Sequence, residues 1–480
     1  MKTRSRSSVL ICTLLVLVAH LDAATGPVRQ PNFLFIYADD QRWDAMGVVQ
    51  REQGERARFP WFQSPHMDRL AAEGVRFRNA FVTLSLCSPS RAAYLTGRYN
   101  HANGIANNHT PFPIESITHG SLLRTAGYKT AYFGKWHHGS QSGQRPGFDY
   151  SASFIGQGKY FDCPVEINGV STPTQGWIDD VVTDFAIDFA KQNRAHPFSM
   201  VVGFKSPHGP RGGGNLPERL RHKYAGEASR PVPNLASQAI YRPAASGGGK
   251  AATGPEVIEA HLDYFRHIAG CDENLGRLLK TLDDLALTDD TVVVYASDNG
   301  YYLGEHGLGD KRSLYEESLR IPLLVRYPRL FPQGKTMDEM VLNIDLAPTL
   351  LELGGVPVPR TMQGMSWVPL LTGKKPAWRQ SFLAEYFYEN NFSVPTVLGV
   401  RTASAKLVQY PGNPEWTEVF DLAIDSYETK NLAADPIRRA QLTAELDAQI
   451  KATGYVVPPG MDQPGDRTEK AAKKKARAKQ

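Results

Sequence analysis

Short apolar runs recur along the chain, and each stops at a cluster of polar or charged residues. Asn32-Phe-Leu-Phe-Ile-Tyr37 is apolar without alternation, the pattern of a strand covered on both faces, and it ends at Asp39-Asp40. Thr130–Gly134 is a second run, followed directly by Lys135-Trp136-His137-His138. Pro197–Phe204 is a third, followed by Lys205-Ser-Pro-His208. Thr291–Ser297 is the clearest, and it stops at Asp298-Asn299-Gly300. A further strand is expected at Ile321–Arg326. Helical stretches lie between these runs: Ser64–Glu73, ended by Gly74, then Ser121–Gly127, Trp177–Gln192 and Asp345–Leu353. The longest is Pro255–Leu285, with Ile258, Leu262, Phe265, Ile268, Leu275, Leu278 and Leu282 on one face. Buried strands separated by helices predict an α/β fold with a large, mainly parallel sheet flanked by helices.

From about Lys374 the pattern changes. Phe382–Phe387, Thr396–Arg401, Lys406–Tyr410 and Glu418–Leu422 are short strand-like runs with turns between them. They predict a small C-terminal antiparallel sheet, followed by a helix near Ile437–Lys451. Arg211–Gly254 breaks the pattern differently: Gly212-Gly-Gly214, Gly247-Gly-Gly249 and many prolines mark a long insertion. It reads either as a lid over a substrate or as a disordered loop.

The pattern also places chemistry. Ligands of parallel α/β sheets bind at the carboxyl ends of the strands. Four strand ends here carry Asp39-Asp40, Lys135 with His137, His208, and Asp298-Asn299. Lys135 and His137 are two apart, so in extended backbone they point to one side. Adjacent carboxylates at the exit of a buried strand are either a solvated turn or ligands of a hard cation. The polar cluster His101, Asn103, Asn107, Asn108 and His109 either lines the mouth of the same site or is surface loop.

Composition changes the picture at the two ends. The chain has 480 residues, is 41% hydrophobic, and carries a net charge of +5. Met1–Ala24 has Lys2, Arg4 and Arg6, then an apolar run from Val9 to Ala19, then small residues at Ala23 and Ala24. This is the pattern of a secretory signal peptide, too short to span a bilayer stably. A secreted or periplasmic protein without stable membrane insertion is expected. Cys12 lies in the apolar run, and the isoleucine before it argues against a lipoprotein cleavage site. Arg467–Gln480 is rich in Ala, Lys and Arg, and is either a solvated disordered tail or an adhesive for anionic glycan or surfaces. Without tail and signal the body is near neutral, so nucleic acid binding is not indicated. The expected organisation is a signal peptide at 1–24, a main domain at 25–372 holding the insertion 211–254, a C-terminal α+β unit at 373–460 and a basic tail at 461–480. Of the four cysteines, Cys87, Cys163 and Cys271 remain after the signal. Cys163 and Cys271 either pair in an oxidising compartment or stay as free buried thiols.

Cys87 stands in Leu86-Cys-Ser-Pro-Ser-Arg-Ala-Ala-Tyr-Leu-Thr-Gly-Arg98. Ser88-Pro89 reads as a helix start, with Ser as cap and Pro at the first position. A helix N-terminus attracts anions, and Arg91 adds a planar fork that fits an oxyanion. A nucleophile beside an anion clamp indicates a phosphate or sulfate substrate.

Cys87-x-Pro89-x-Arg91, continuing to Leu95-Thr96-Gly97-Arg98, resembles the signature of the type I sulfatases, of the alkaline-phosphatase-like superfamily. The resemblance runs from about Pro31 to Leu371. It implies that Cys87 is oxidised by a formylglycine-generating maturation enzyme, and that the hydrated aldehyde is the nucleophile. It implies one Ca²⁺ held by Asp39, Asp40, Asp298, Asn299 and the modified Cys87. It assigns Arg91, Lys135 and Lys311 to charge stabilisation, His208 with Lys311 to protonation of the departing alcohol, and His137 to release of sulfate from the nucleophile. His138 stands where the family often has leucine and receives no role. Asp298-Asn-Gly-Tyr-Tyr-Leu-Gly-Glu-His306, Gly309-Asp-Lys-Arg312 and the Asn107-Asn108 neighbourhood look most like N-acetylglucosamine-6-sulfatases and mucin-desulfating sulfatases. A sulfated carbohydrate substrate is therefore expected. The alternatives are a phosphonate or phosphate ester hydrolase of the same superfamily, a sulfamidase or another sulfated-sugar specificity, and an inactive glycan-binding protein. Two-metal phosphoesterases need extra His and Asp ligands near the nucleophile, and the sequence shows no such cluster. The intact set Cys87, Arg91, Lys135, His137 and His208 argues against an inactive binder.

Overall fold

The structure is a computed structural model that describes residues 30–241, 255–389, 392 and 394–458. The signal-like segment and the basic tail lie outside the described residues, as does the 242–254 part of the insertion.

Four strands form the centre of a ten-stranded sheet: β1 (Asn32–Ala38), β2 (Lys129–Lys135), β3 (Phe198–Gly203) and β4 (Thr291–Ser297). Their order across the sheet is β4-β1-β3-β2, and every neighbouring pair is parallel. All four carboxyl ends therefore lie side by side on one edge. Tyr150–Phe154 adds a further parallel strand beside β2, and Leu323–Arg326 pairs antiparallel with β4. The short strands Val75–Phe77, Lys335–Met337, Val165–Ile167 and Val170–Thr172 complete the two margins. The sequence pattern did not reveal these four: three residues at a sheet margin are too few to show a period.

Alternate side chains of β1 enter different cores, as the period of 2 requires. Phe33, Phe35 and Tyr37 join one apolar cluster, and Leu34, Ile36 and Ala38 the other. On the second face, helices α2 (Ile178–Asn193) and α3 (Pro255–Asp284) pack on the sheet and on each other. The first face is covered by α1 (Cys87–Thr96) and the helices His119–Thr125 and Leu346–Leu353.

The C-terminal strands Ser381–Tyr386, Val397–Thr402, Ala405–Gln409 and Glu418–Asp421 form an antiparallel sheet in chain order, with the helix Pro436–Thr453 packed on it. Phe382, Val400 and Leu407 join the same core as Phe35, so this sheet shares the core of the first face. Residues 211–241 of the insertion pack on the body: Leu216 and Leu220 are fully buried, and Trp177 Nε1 donates to the Asn215 carbonyl at 3.1 Å. Cys163 and Cys271 are buried free thiols, so the disulfide alternative does not hold. No helix of the described residues is long and apolar enough to cross a membrane.

Candidate active site

Cys87 opens α1, with Leu86 as the extended N-cap residue. This corrects the expected helix start: Ser88 is inside the first turn and caps nothing through its side chain. The Ser88 N–H instead donates to Asn108 Oδ1 at 3.0 Å, and Ser88 Oγ bonds His138 Nδ1 at 2.7 Å. Asn108 and His138 thus anchor the first turn of α1 from outside it.

The ends of β1 and β4 meet Cys87 from the other side. Cys87 Sγ lies 3.3 Å from Asp39 Oδ1 and 3.2 Å from Lys311 Nζ. Lys135, the last residue of β2, makes an ion pair with Asp39, and Lys311 makes one with Asp40. Gly134 permits this placement of Lys135. Its φ is +85°, and a Cβ there would lie 2.1 Å from the Gly203 carbonyl oxygen of β3. Asp298 Oδ1 accepts the Asp40 N–H at 3.1 Å, and Asn299 Nδ2 donates to Asp40 Oδ1 at 2.7 Å.

Arg91 is turned inward. Its Nε and Nη2 donate to Asp298 Oδ2 at 2.9 and 2.7 Å, its Nη1 donates to the Lys135 carbonyl, and its guanidinium lies 4.7 Å over the Tyr37 ring. The guanidinium is 1% exposed. The fork is spent on the protein, so Arg91 acts here as a brace between β4, β2 and α1. His137 is also placed differently from the extended geometry expected for it. Its φ is +56°, so β2 has ended before it. Gln157 Nε2 bonds His137 Nε2 at 3.0 Å. His208 Nδ1 donates to the Gly209 carbonyl at 2.7 Å, and its Nε2 lies 4.0 Å from Asp40 Oδ2. Its side chain is 21% exposed while those of Asp39, Lys135 and Asp298 are fully buried, so His208 marks the open side.

The charges follow from this packing. Burial pushes the Asp39 carboxyl up, but Lys135, His208, Arg91 and Lys311 together bring it well below the usual range. Burial and Asp39 push the Cys87 thiol well up, against Lys311 and Lys135. Burial works against the Lys311 ammonium, yet Asp40 and Cys87 raise it well above its ordinary value. Burial and Lys135 hold His137 neutral. Burial and the charge of Lys135 bring His208 down to about 3.

Asp39, Asp40 and Asp298 each offer a carboxylate oxygen within 4.8 Å of the others. Asn299 Oδ1 is buried without a hydrogen-bond partner. An all-oxygen donor set with an orphaned amide oxygen fits a hard divalent cation. The four predicted strand ends are therefore brought together, with Cys87, Arg91 and Lys311 among them. His101 is not: it bonds Glu385 of the C-terminal sheet at 2.7 Å. Asn107 closes its own turn through the His109 and Thr110 N–H groups. Of the polar cluster, Asn108 does reach the nucleophile's helix, whereas Gln157 and the buried Lys205 are near-site residues to which sequence reasoning gave no role. Gln157 and Lys205 each follow a strand of the same sheet, which is the signal that pointed to the others.

A solved structure, of a protein in complex with its substrate D-glucosamine-2-N,6-O-disulfate, superposes with a TM-score of 0.81 at 30% identity, over 90% of this chain and 99% of that one. The phosphonate monoester hydrolase of Agrobacterium radiobacter shares the fold, with a TM-score of 0.71 at 19% identity, over 88% of this chain and 95% of that one. The chain is 31% identical to the N-acetylglucosamine-6-O-sulfatase of Bacteroides thetaiotaomicron, over 90% of this chain and 88% of the relative. It is 28% identical to the N-acetylglucosamine-6-sulfatase of Capra hircus, over 78% of this chain and 69% of the relative. A family model for the C-terminal part of N-sulphoglucosamine sulphohydrolase matches residues 304–454. The sulfatase family model matches residues 31–356, and with it the chain belongs to the sulfatase family of sulfuric ester hydrolases.

Proposed function

We propose that this sulfatase removes 6-O-sulfate from an N-acetylglucosamine-type residue of a sulfated glycan, using formylglycine made from Cys87. The observation that carries the reading is the placement of Cys87 between Asp39 and Lys311 at 3.3 and 3.2 Å. Burial and Asp39 keep its thiol protonated, so Cys87 is a poor thiolate nucleophile as it stands. Formylglycine at that position would supply, as its hydrate, the attacking oxygen. Asp39, Asp40, Asp298 and Asn299 would hold Ca²⁺, which supplies Lewis-acid stabilisation of negative charge. The glycan specificity draws on the named relatives.

The remaining roles belong to the chain. Lys135 and Lys311 bring two buried ammonium groups to the nucleophile, where they stabilise charge on the sulfate oxygens. His208, which faces the open side, would protonate the departing alcohol together with Lys311, which lies 3.2 Å from Cys87. His137, neutral and steadied by Gln157, takes the proton that frees sulfate. Arg91 keeps Asp298 and Lys135 in place. A signal peptide and export from the cytoplasm complete the reading.

Mass spectrometry of the Cys87 peptide from the native host tests it, together with sulfate release from a panel of sulfated monosaccharides. Formylglycine and release from 6-sulfated amino sugars are expected. An unmodified thiol in active enzyme overturns the mechanism, and cleavage at another position alone overturns the specificity.

A further inference from the structure

His137 and His208 come from loops far apart in the chain, and one buried ammonium joins those loops. Lys205, the second residue past the end of β3, is 1% exposed. Its Nζ donates to the Gln157 carbonyl at 2.9 Å and to the Gly209 carbonyl at 3.4 Å, and lies 4.7 Å from the Tyr160 ring centroid. A lysine ammonium has three donors and no acceptor, so two carbonyls and a ring face suit it. Burial and the charge of Lys135 bring it down to about 8, which leaves it an ammonium at neutral pH.

Each of these contacts leads to one histidine. On the first arm, Gln157 stands between Gly156 and Gly158, whose φ values are +59° and +60°. This left-handed turn lets the Gln157 carbonyl face Lys205 while its side chain bonds His137 Nε2 at 3.0 Å. On the second arm, the Gly209 carbonyl that Lys205 holds also accepts His208 Nδ1 at 2.7 Å. The His208 N–H donates to the Lys205 carbonyl at 3.0 Å, and Tyr160 Oη donates to the His208 carbonyl. Lys205 is itself fixed from the first turn of α2. Its own N–H and that of Ser206 donate to Asp179 Oδ1 and Oδ2 at 2.8 and 3.1 Å.

We infer that Lys205 is a positioning residue that sets both histidines at once, through Gln157 for His137 and through Gly209 and Tyr160 for His208. The inference rests on the roles given to these histidines above and extends them. Protonation of the departing alcohol and release of sulfate would then share one anchor, although neither histidine bonds the other's loop through its own side chain. A group that acts only through two others should slow turnover and leave substrate binding alone.

The test uses the full, matured enzyme and 6-sulfated N-acetylglucosamine. Rapid-quench single turnovers follow the desulfated sugar and inorganic sulfate separately, and KM and Ca²⁺ affinity are measured alongside. Gln157→Ala should delay sulfate behind the sugar. Tyr160→Phe should slow the sugar, with sulfate following it. Lys205→Met should do both, each by about 10-fold to 100-fold, the range of a hydrogen bond to a charged group. Its KM and Ca²⁺ affinity should stay within about threefold of wild type. If Lys205→Met does not fold, Lys205→Gln, which keeps one donor group, is put through the same measurements. Native rates for both products, slowing of only one, or a loss of Ca²⁺ affinity that accounts for the slowing overturns the inference. Native rates in His137→Ala and His208→Ala overturn instead the catalytic roles on which it rests.

Discussion

Replacing Arg91 by lysine separates a brace from a substrate clamp. The substitution keeps the positive charge and removes the fork. In the native geometry Nε and Nη2 both reach Asp298 Oδ2, Nη1 reaches the Lys135 carbonyl, and the guanidinium plane lies over Tyr37. One ammonium can replace only part of this. Two charge-assisted hydrogen bonds at ~1.5 kcal/mol each, and a cation–π contact of ~1 kcal/mol, amount to a loss of about 4 kcal/mol. Asp298 would also lose its fixed orientation, and the loss of an outer partner typically weakens a metal site about 10-fold to 100-fold. Urea unfolding in chelator measures the first effect, and calorimetric titration with Ca²⁺ the second. The reasoning fails if Arg91→Lys binds Ca²⁺ with native affinity and unfolds at the native midpoint while sulfate release collapses. That pattern would mean that the guanidinium acts on the substrate and not on Asp298.

Four further outcomes are expected. Asn299→Ala, which removes the orphaned amide oxygen, should weaken Ca²⁺ binding at least about 10-fold while the secondary structure seen by circular dichroism is kept. Cys87→Ala should abolish sulfate release, and its melting temperature should stay within about 5 °C of wild type, because a single buried thiol is lost. Ile36→Ala in β1, at a fully buried site, should cost about 2–5 kcal/mol in urea unfolding. Asp272 gives a pH signature: burial raises its carboxyl to about 7, although it accepts the backbone N–H groups of His66 and Met67. Because the folded value lies above the unfolded one, the native state binds the extra proton, and stability falls as pH rises from about 4 to 7. Asp272→Asn should flatten that slope between about pH 4 and 7, and an unchanged slope would refute this assignment.

The C-terminal sheet shows how far local pattern reaches. All four of its strands were legible to within one residue, because each is a short apolar run bounded by turns. Glu385 was not legible as a structural partner, although it lies in the first of these strands. It receives the Asn100 and His101 N–H groups and the His101 ring, residues nearly three hundred positions earlier. Its charge thereby claims a histidine that sequence alone could place at the active site.

What the sequence determined by itself was the set of buried strands, the polar residues at their ends and the Cys87 motif. Hydrophobic periodicity and motif spacing are properties of neighbouring residues, so they survive without a fold. The tertiary structure decided what those residues do to one another. The order β4-β1-β3-β2 brings Asp298 beside Asp39 across 259 positions of chain, and no local signal carries that register. The same packing set Arg91 against Asp298 and took His137 out of extended backbone. Each of these is a choice among partners, and a buried polar group takes the partner that distant segments deliver.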